Sequence, residues 1–139
     1  MNTLTPGEAI VTCLRQFFIF SGRARRSEYW WFFAFGIAAM FVTTLIDAVL
    51  FPFTASELTA LGPLGNVVSL VLLVPMLAVG SRRMHDTGRS AWWLLIQLIP
   101  LLGPVVFGIL AARRGTAGHN AFGAAPTGGF AGQTQFSHV

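Results

Sequence analysis

The chain of 139 residues is long enough for one domain, and its composition excludes an ordinary soluble surface. Hydrophobic residues make up 54% of it and charged residues only 10%, against about 25% charged residues in soluble domains. The net charge is +4 and every basic residue other than histidine is an arginine, a balance also found in proteins that bind nucleic acid. Because most of the arginines flank apolar runs, the pattern instead indicates a membrane edge with lipid phosphate as counter-ion, and we expect no nucleic-acid partner.

A helix is predicted for residues 6–20, beginning at a capping box formed by Thr5 and Glu8. Ile10 and Leu14 lie one helical turn apart on its apolar face, while polar residues occupy the other faces. The segment is too short and too polar to cross a bilayer. We therefore expect an amphipathic helix that lies in the membrane interface.

Three hydrophobic segments follow, at residues 29–51, 64–80 and 91–112. The first and third reach the roughly 20 residues that a membrane-spanning helix needs, and the second lies at the short end of the range. Pro100 and Pro104 enclose a glycine in the third segment and are expected to break it. This segment either crosses the membrane once or forms a re-entrant pair of short helices, and both alternatives remain open.

The predicted fold is an all-α membrane protein, with an N-terminal amphipathic interfacial helix and three hydrophobic segments, the third broken at Pro100–Pro104. Residues 1–112 are expected to form a single membrane domain. Residues 113–139 are rich in glycine and are expected to form a largely flexible C-terminal tail.

The arginines predict the orientation of the chain, because basic residues are normally retained on the cytoplasmic side of a membrane. The connection at residues 52–62 has no basic residue and is expected outside. Arg113 and Arg114 follow the third segment and favour a re-entrant path. We therefore expect both termini in the cytoplasm. The other arginines on the inner side are Arg15, Arg23, Arg25, Arg26, Arg82, Arg83 and Arg89.

Two stretches of the sequence resemble each other. Residues 21–31 read SGRARRSEYWW and residues 81–93 read SRRMHDTGRSAWW. Because both fall on the same predicted side, we expect them to meet in one polar patch. The patch is expected to contain Arg23, Arg25, Arg26, Glu28, Arg82, Arg83, His85, Asp86 and Arg89. The aromatic residues expected to anchor the helices at the membrane interface are Tyr29, Trp30, Trp31, Trp92 and Trp93.

Three interpretations of this polar patch remain open. Its arginines can simply orient the membrane segments. Alternatively, Glu28 and Asp86 pair with arginines of both stretches and hold the helices together. In the third interpretation, arginines that remain unpaired bind an anionic phospholipid headgroup or a partner protein.

The adjacent His85 and Asp86 raise the alternative of a metal-dependent hydrolase. A metal site needs several converging ligands, whereas the other histidines, His119 and His138, lie in the glycine-rich tail. We therefore expect no metal, no cofactor and no catalytic residue. His85 and Asp86 are instead expected to end the second hydrophobic helix.

A few polar residues lie inside the hydrophobic segments: Asp47, Asn66, Ser69 and Gln97. They form no recognisable ion path in one chain, although in an oligomer they could face a central pore. Asp47 is close to the outer end of its segment, where we expect water to solvate it.

Three motifs resemble the domain-of-unknown-function 805 family of small bacterial inner-membrane proteins. They are FSGRARRSEYWWF, then RRMHDTGRSAWWLL with IPLLG, then GTAGHNAFGAAP, in order from Phe20 to Pro126. Met84 stands where the family usually has leucine. The resemblance implies an inner-membrane location and no established activity. It also implies that Glu28, His85, Asp86 and Asn120 do more than orient the chain, and that residues 115–126 dock near the polar patch.

Together these observations predict an integral inner-membrane protein that is not an enzyme. Its cytoplasmic patch is expected to bind anionic phospholipid headgroups or a partner protein, and a homo-oligomer is compatible with this function. The alternative is a subunit of an oligomeric channel or transporter.

Overall fold

The computed structural model describes residues 4–51 and 61–126. These residues are helical apart from connecting loops, with no strand beyond one isolated bridge between Asn120 and Gly123. The all-helical class predicted from the sequence is therefore confirmed. The elements are α1 (Pro6–Arg15), α2 (Arg26–Leu50), α3 (Pro63–Asp86), a 3₁₀ helix (Ala91–Leu98) and α4 (Leu102–Ala112).

Helix α1 begins at the capping box expected from the sequence. The Glu8 amide donates to Thr5 Oγ1 at 3.4 Å, and the Thr5 amide donates back to Glu8 Oε2 at 2.9 Å. The helix ends at Arg15 and not at residue 20, because the chain turns there towards α3. It buries Ala9 and Cys13 against the rest of the protein. The position of α1 in the membrane interface stays a prediction.

Helices α2 and α3 are long and apolar enough to cross a membrane. At 25 and 24 residues, each extends about 36 Å, more than the roughly 30 Å of a hydrocarbon core. Both are longer than the predicted segments. Helix α2 begins at Arg26, and α3 continues past Gly80 to Asp86, because the charged side chains in its last turns have partners within the bundle.

The third hydrophobic segment does not form a helix of spanning length. It folds into the 3₁₀ helix and α4, which pack against each other as a hairpin and also contact α3. The break lies at Pro100 and Leu101, and Pro104 sits in the first turn of α4, where its missing N–H costs nothing. Gly103 permits the close approach, since a Cβ there would lie 2.0 Å from the Ile96 carbonyl oxygen.

Helix α3 is central and contacts every other helix of the described chain. Its buried residues lie mostly in the half that ends at Asp86, and the apolar core is at that end. Phe32 of α2, Met84 of α3 and Phe107 of α4 meet there. The core therefore sits directly beside the predicted polar patch, while most side chains of α2 are exposed and apolar, as lipid contact requires.

The expectation that water solvates Asp47 is wrong. Asp47 is only 4% exposed, and its carboxylate accepts hydrogen bonds from the Leu64 amide at 3.0 Å and the Gly65 amide at 2.8 Å. It thus caps the N-terminus of α3 from the neighbouring helix, where Gly62 provides no side chain. A Cβ at Gly62 would lie 2.4 Å from the Asp47 Cγ, so this contact requires glycine.

Replacing this inter-helix cap should destabilise the protein. We expect Asp47→Ala to lower the free energy of unfolding by about 1–3 kcal/mol, because two buried amides lose their acceptor. The matched control is Thr44→Ala, whose exposed hydroxyl donates only to the Met40 carbonyl of its own helix, and its effect should stay within about 0.5 kcal/mol. Thermal unfolding in one detergent measures both, and equal midpoints would contradict the role of Asp47.

Candidate functional site

The two arginine-rich stretches meet at the end of α3, where Asp86 is buried between two arginines. Asp86 Oδ1 accepts from Arg23 Nε at 2.9 Å and lies 2.8 Å from Arg23 Nη2. Asp86 Oδ2 pairs with Arg83 Nη1, one turn earlier in α3. The loop carrying Arg23 is held alongside α3 by a hydrogen bond from the Ala24 amide to the Arg82 carbonyl, at 3.0 Å. Asp86 thus joins the loop before α2 to the end of α3.

Glu28 forms the second ion pair between the two stretches. Its Oε1 lies 2.6 Å from Arg82 Nη1, and both side chains are buried. The same Arg82 nitrogen donates to Gln16 Oε1, which adds the end of α1 to the contact. Arg82 Nε and Nη2 have no hydrogen-bond partner in the described chain, so Glu28 is the carboxylate that compensates this buried charge. We call Arg23, Glu28, Arg82, Arg83 and Asp86 the arginine–carboxylate cluster.

Arg83 connects this cluster to the end of α4. It is fully buried, and its Nε donates to the Ala111 carbonyl at 2.8 Å while Nη2 donates to the Arg113 carbonyl. Nη1 also reaches the Ala24 carbonyl at 3.3 Å. The last carbonyls of a helix lack partners within the helix and carry a partial negative charge, so a guanidinium is well matched to them. Arg83 therefore fixes the end of α4 beside the end of α3.

The first part of the C-terminal tail docks on the same cluster. Arg23 Nη1 donates to the carbonyls of Gly118 at 2.6 Å and Gly123 at 3.3 Å, and the Thr116 amide donates to the Asp86 carbonyl at 2.8 Å. Gly115 allows this approach, since a Cβ there would lie 2.0 Å from Asp86 Oδ2. Residues 113–126 are thus hydrogen-bonded to the helices, while residues 127–139 of the predicted flexible tail lie outside the described chain.

His85 and Asn120 hold the tail from the other side. The Asn120 side-chain amide donates to the His85 carbonyl at 3.0 Å, and its oxygen accepts from the Phe122 amide at 2.8 Å. The His85 ring stacks on Phe122 with centroids 4.2 Å apart, and its Nδ1 lies 3.1 Å from the Gly22 carbonyl oxygen. His85 and Asp86 are the last two residues of α3, as the sequence predicts. The His85 ring contacts the tail and the loop before α2.

Cys13 is buried beside Glu28, with Sγ 3.8 Å from Glu28 Oε1. Burial, and next the negative charge of Glu28, raise the pKa of the Cys13 thiol to about 12. Only a minute fraction is then thiolate at neutral pH, and the thiol is unreactive. Chemical labelling of the Cys13 thiol therefore tests whether it remains buried beside Glu28.

The remaining arginines of the patch lie around the cluster. Arg26 is exposed and its Nη1 donates to the Ala112 carbonyl at 3.4 Å, next to the exposed Arg113 and Arg114. Arg25 donates to the Pro126 carbonyl at 3.2 Å. The guanidinium of Arg89 lies 5.9 Å from the Trp93 ring centroid. The arginines of the predicted patch therefore differ in burial: Arg23, Arg82 and Arg83 are buried, Arg25 and Arg89 are half-buried, and Arg26 is exposed.

The five aromatic residues predicted to anchor the helices at the membrane interface also differ in burial. Trp30, Trp31, Trp92 and Trp93 are exposed, with Trp92 at 76%. Tyr29 departs from the expectation, because it is buried in the core with its ring centroid 5.9 Å from that of Phe107.

Sequence reasoning missed several members of this site. The Ala111, Arg113 and Gly118 carbonyls are backbone groups, which no residue type identifies. Gln16 and Cys13 gave no pattern beyond a helix face. Within the described residues no group of three or more histidine, cysteine, aspartate and glutamate side chains converges as metal ligands would.

Comparison with known proteins places the chain in a family. The sequence profile described as "Protein of unknown function (DUF805)" matches residues 17–124. The chain belongs to this family. The resemblance drawn from the sequence motifs is thereby confirmed.

Two relatives of this DUF805 protein come from Escherichia coli strain K12. Inner membrane protein YhaH is 40% identical over 114 residues, which cover 81% of this chain and 91% of the relative. Inner membrane protein YhaI is 34% identical over 131 residues, which cover 84% of this chain and 92% of the relative. No solved structure matches the chain. The names of the relatives agree with an inner-membrane location, and so do the two apolar helices of spanning length.

Breaking the Glu28–Arg82 pair should open the cluster. We expect Glu28→Gln to lower the free energy of unfolding by about 3 kcal/mol, because it leaves the Arg82 charge buried without a carboxylate. The control is Glu8→Gln, the same chemical change at an exposed capping box that also accepts glutamine.

The labelling of Cys13 by N-ethylmaleimide, followed by mass spectrometry, gives a second readout for the same variants. The thiol should remain unlabelled in the unmodified protein and in Glu8→Gln, and react in Glu28→Gln. Equal unfolding midpoints and equal labelling in the two variants would contradict the role of Glu28.

Proposed function

We propose that this protein is a non-enzymatic inner-membrane component whose cytoplasmic face binds anionic phospholipid headgroups through Arg26, Arg113 and Arg114. We call these three residues the arginine triad. The observation that carries the proposal is that the triad is exposed at the rim of the arginine–carboxylate cluster, while the carboxylates around it are paired with other arginines.

The charge balance of the described residues supports this assignment. Glu8 caps α1, Asp47 caps α3, and Glu28 and Asp86 are paired with Arg82, Arg83 and Arg23. No ion pair within residues 4–51 and 61–126 includes a member of the triad. Arg26 reaches the carbonyl of Ala112, the residue before Arg113 and Arg114, and exposed arginines without a carboxylate attract a phosphate. Trp30 and Trp31, one turn further along α2, are exposed, as side chains at the headgroup level are.

The proposed topology puts the triad on the cytoplasmic side. Arg83 and Arg26 contact the end of α4, so the hairpin of the third segment returns to the side where it begins, just after Asp86. This geometry supports the re-entrant path and a cytoplasmic C-terminus. Helix α1, whose exposed Val11 and Leu14 can face lipid, would then lie in the cytoplasmic interface.

The environment of His85 and Asp86 supports a binding function over a catalytic one. Asp86 is buried and forms ion pairs with two arginines, and the His85 ring stacks on Phe122. A general acid or base needs access to a substrate proton, and both carboxylates of the cluster are buried, with Glu28 5% and Asp86 4% exposed. The pair serves to dock the tail, which keeps Arg113 and Arg114 in place at the rim.

Substitution of the triad should weaken binding of anionic lipid. We expect Arg114→Gln and Arg113→Gln each to reduce the affinity for phosphatidylglycerol about fivefold, since an arginine near an anionic surface contributes about 1 kcal/mol. Arg89→Gln removes the same charge beside Trp93 and should change the affinity less than twofold.

The measurement is retention of phosphatidylglycerol over phosphatidylcholine by the purified protein in native mass spectrometry. Equal losses in all three variants would mean that net charge alone attracts the lipid. No loss in any of them would contradict headgroup binding by the triad.

The topology is tested with single cysteines in a Cys13→Ser background. A cysteine at Ala117, exposed just beyond α4, should react with a membrane-impermeant maleimide in inverted membrane vesicles and stay unlabelled in spheroplasts. Ser56→Cys, in the connection outside the described residues, should give the opposite pattern. Labelling of both the Ala117 and the Ser56 cysteines in spheroplasts would exclude the re-entrant path.

A further inference from the structure

The tip of the re-entrant hairpin carries polar groups that lipid cannot satisfy. Leu101 is 86% exposed with φ of 67°, and within residues 61–126 neither its amide nor its carbonyl takes part in a backbone hydrogen bond. The Gln97 side chain is also exposed and has no hydrogen-bond partner in this part of the chain. The backbone of Gln97 lies against the first turn of α4, which follows Leu101, since a Cβ at Gly103 would lie 2.8 Å from the Gln97 Cα.

The dimensions of the hairpin put this tip near the middle of the bilayer. The eight residues of the 3₁₀ helix rise about 16 Å, and the 11 residues of α4 about 17 Å. A hydrocarbon core is about 30 Å thick, so a hairpin that starts at one face ends close to the midplane. Non-helical backbone at this depth is tolerated only where protein or a water-filled cavity covers it.

We propose that the tip, from Gln97 to Leu102, is the interface of a homodimer, in which the Gln97 amide of each copy hydrogen-bonds the Leu101 peptide of the other. The proposal rests on the re-entrant topology given above but not on lipid binding by the arginine triad. It assigns a partner to a surface at the opposite end of α4 from that triad.

A second copy fits this surface because the exposed groups are complementary to themselves. A glutamine amide offers one acceptor and two N–H donors, and a peptide group offers one donor and one acceptor. In a two-fold dimer the contact between Gln97 and Leu101 occurs twice, so both unpaired peptides are satisfied by one interface. Leu98 and Leu102, which are 79% and 67% exposed, would pack around these hydrogen bonds. Lipid tails could cover the leucines but not the amide or the peptide.

Disulfide crosslinking in native membranes tests the contact directly. One chain carries Gln97→Cys and a second, differently tagged chain carries Leu101→Cys, both in the Cys13→Ser background. Copper phenanthroline should produce the mixed dimer from this pair. A control pair of Leu70→Cys with Leu101→Cys, in which Leu70 is an exposed residue of α3, should give little crosslinking. A yield no higher than that of the control pair would overturn the proposal.

A non-covalent measurement makes the result independent of cysteine chemistry. Gln97→Leu should raise the dimer dissociation constant about tenfold in nanodiscs, as judged by mass photometry at several dilutions, because the inter-chain hydrogen bonds are lost. Leu70→Ala should leave it unchanged. A monomeric unmodified protein would also overturn the dimer.

The cysteine-labelling experiment on the topology distinguishes a failure of the dimer proposal from a failure of the re-entrant path. If the Ala117 cysteine is protected in spheroplasts and no dimer forms, the dimer proposal alone is wrong. If the Ala117 and Ser56 cysteines are both labelled in spheroplasts, the re-entrant hairpin itself is wrong and the tip needs no partner.

Discussion

A single buried carboxylate, that of Asp86, organises the arginine-rich end of this protein. It holds Arg23 and Arg83, and these two guanidinium groups in turn hold the carbonyls of the tail and of the end of α4. An arginine is tolerated in a protein interior only when its charge and its donors are matched, so removing one member affects every segment at once. The loop before α2 and the ends of α3 and α4 are therefore positioned as one unit.

This constraint also divides the arginines by role. Those that reach Asp86 or Glu28 are buried and unavailable to a ligand, whereas Arg26, Arg113 and Arg114 remain exposed at the rim. The same logic applies along α4. At one end Arg83 satisfies its last carbonyls, and at the other the Leu101 peptide has no partner within residues 61–126. A bilayer penalises such an unmatched group far more than water does, which is why we propose a different partner for each end of α4.

Much of the arrangement follows from the order of residue types. Alternating apolar runs and arginine-rich stretches predict the membrane helices. The pairing of Glu28 and Asp86 with these arginines was one of three interpretations, and the structure shows Glu28 paired with Arg82 and Asp86 with Arg23 and Arg83. The prediction was less accurate where a side chain acts across helices. Asp47 was expected in water because sequence distance from Pro52 suggests an exposed end, yet it caps α3. Tyr29 was grouped with the tryptophans because composition cannot distinguish the two faces of one helix.

The sequence by itself determined the helical class, the first apolar helix of spanning length, the break at Pro100 and the family, because these depend on local composition, proline chemistry and contiguous motifs. The second helix was predicted at the short end of the range and is longer in the structure. Only the tertiary structure decided which arginines are buried and paired with a carboxylate. It also supplies the contacts on which the proposed re-entrant path rests, since Arg83 meets the Ala111 and Arg113 carbonyls. Those contacts join backbone groups distant in sequence, and a backbone carbonyl is the same in every residue, so no pattern of side chains could specify them.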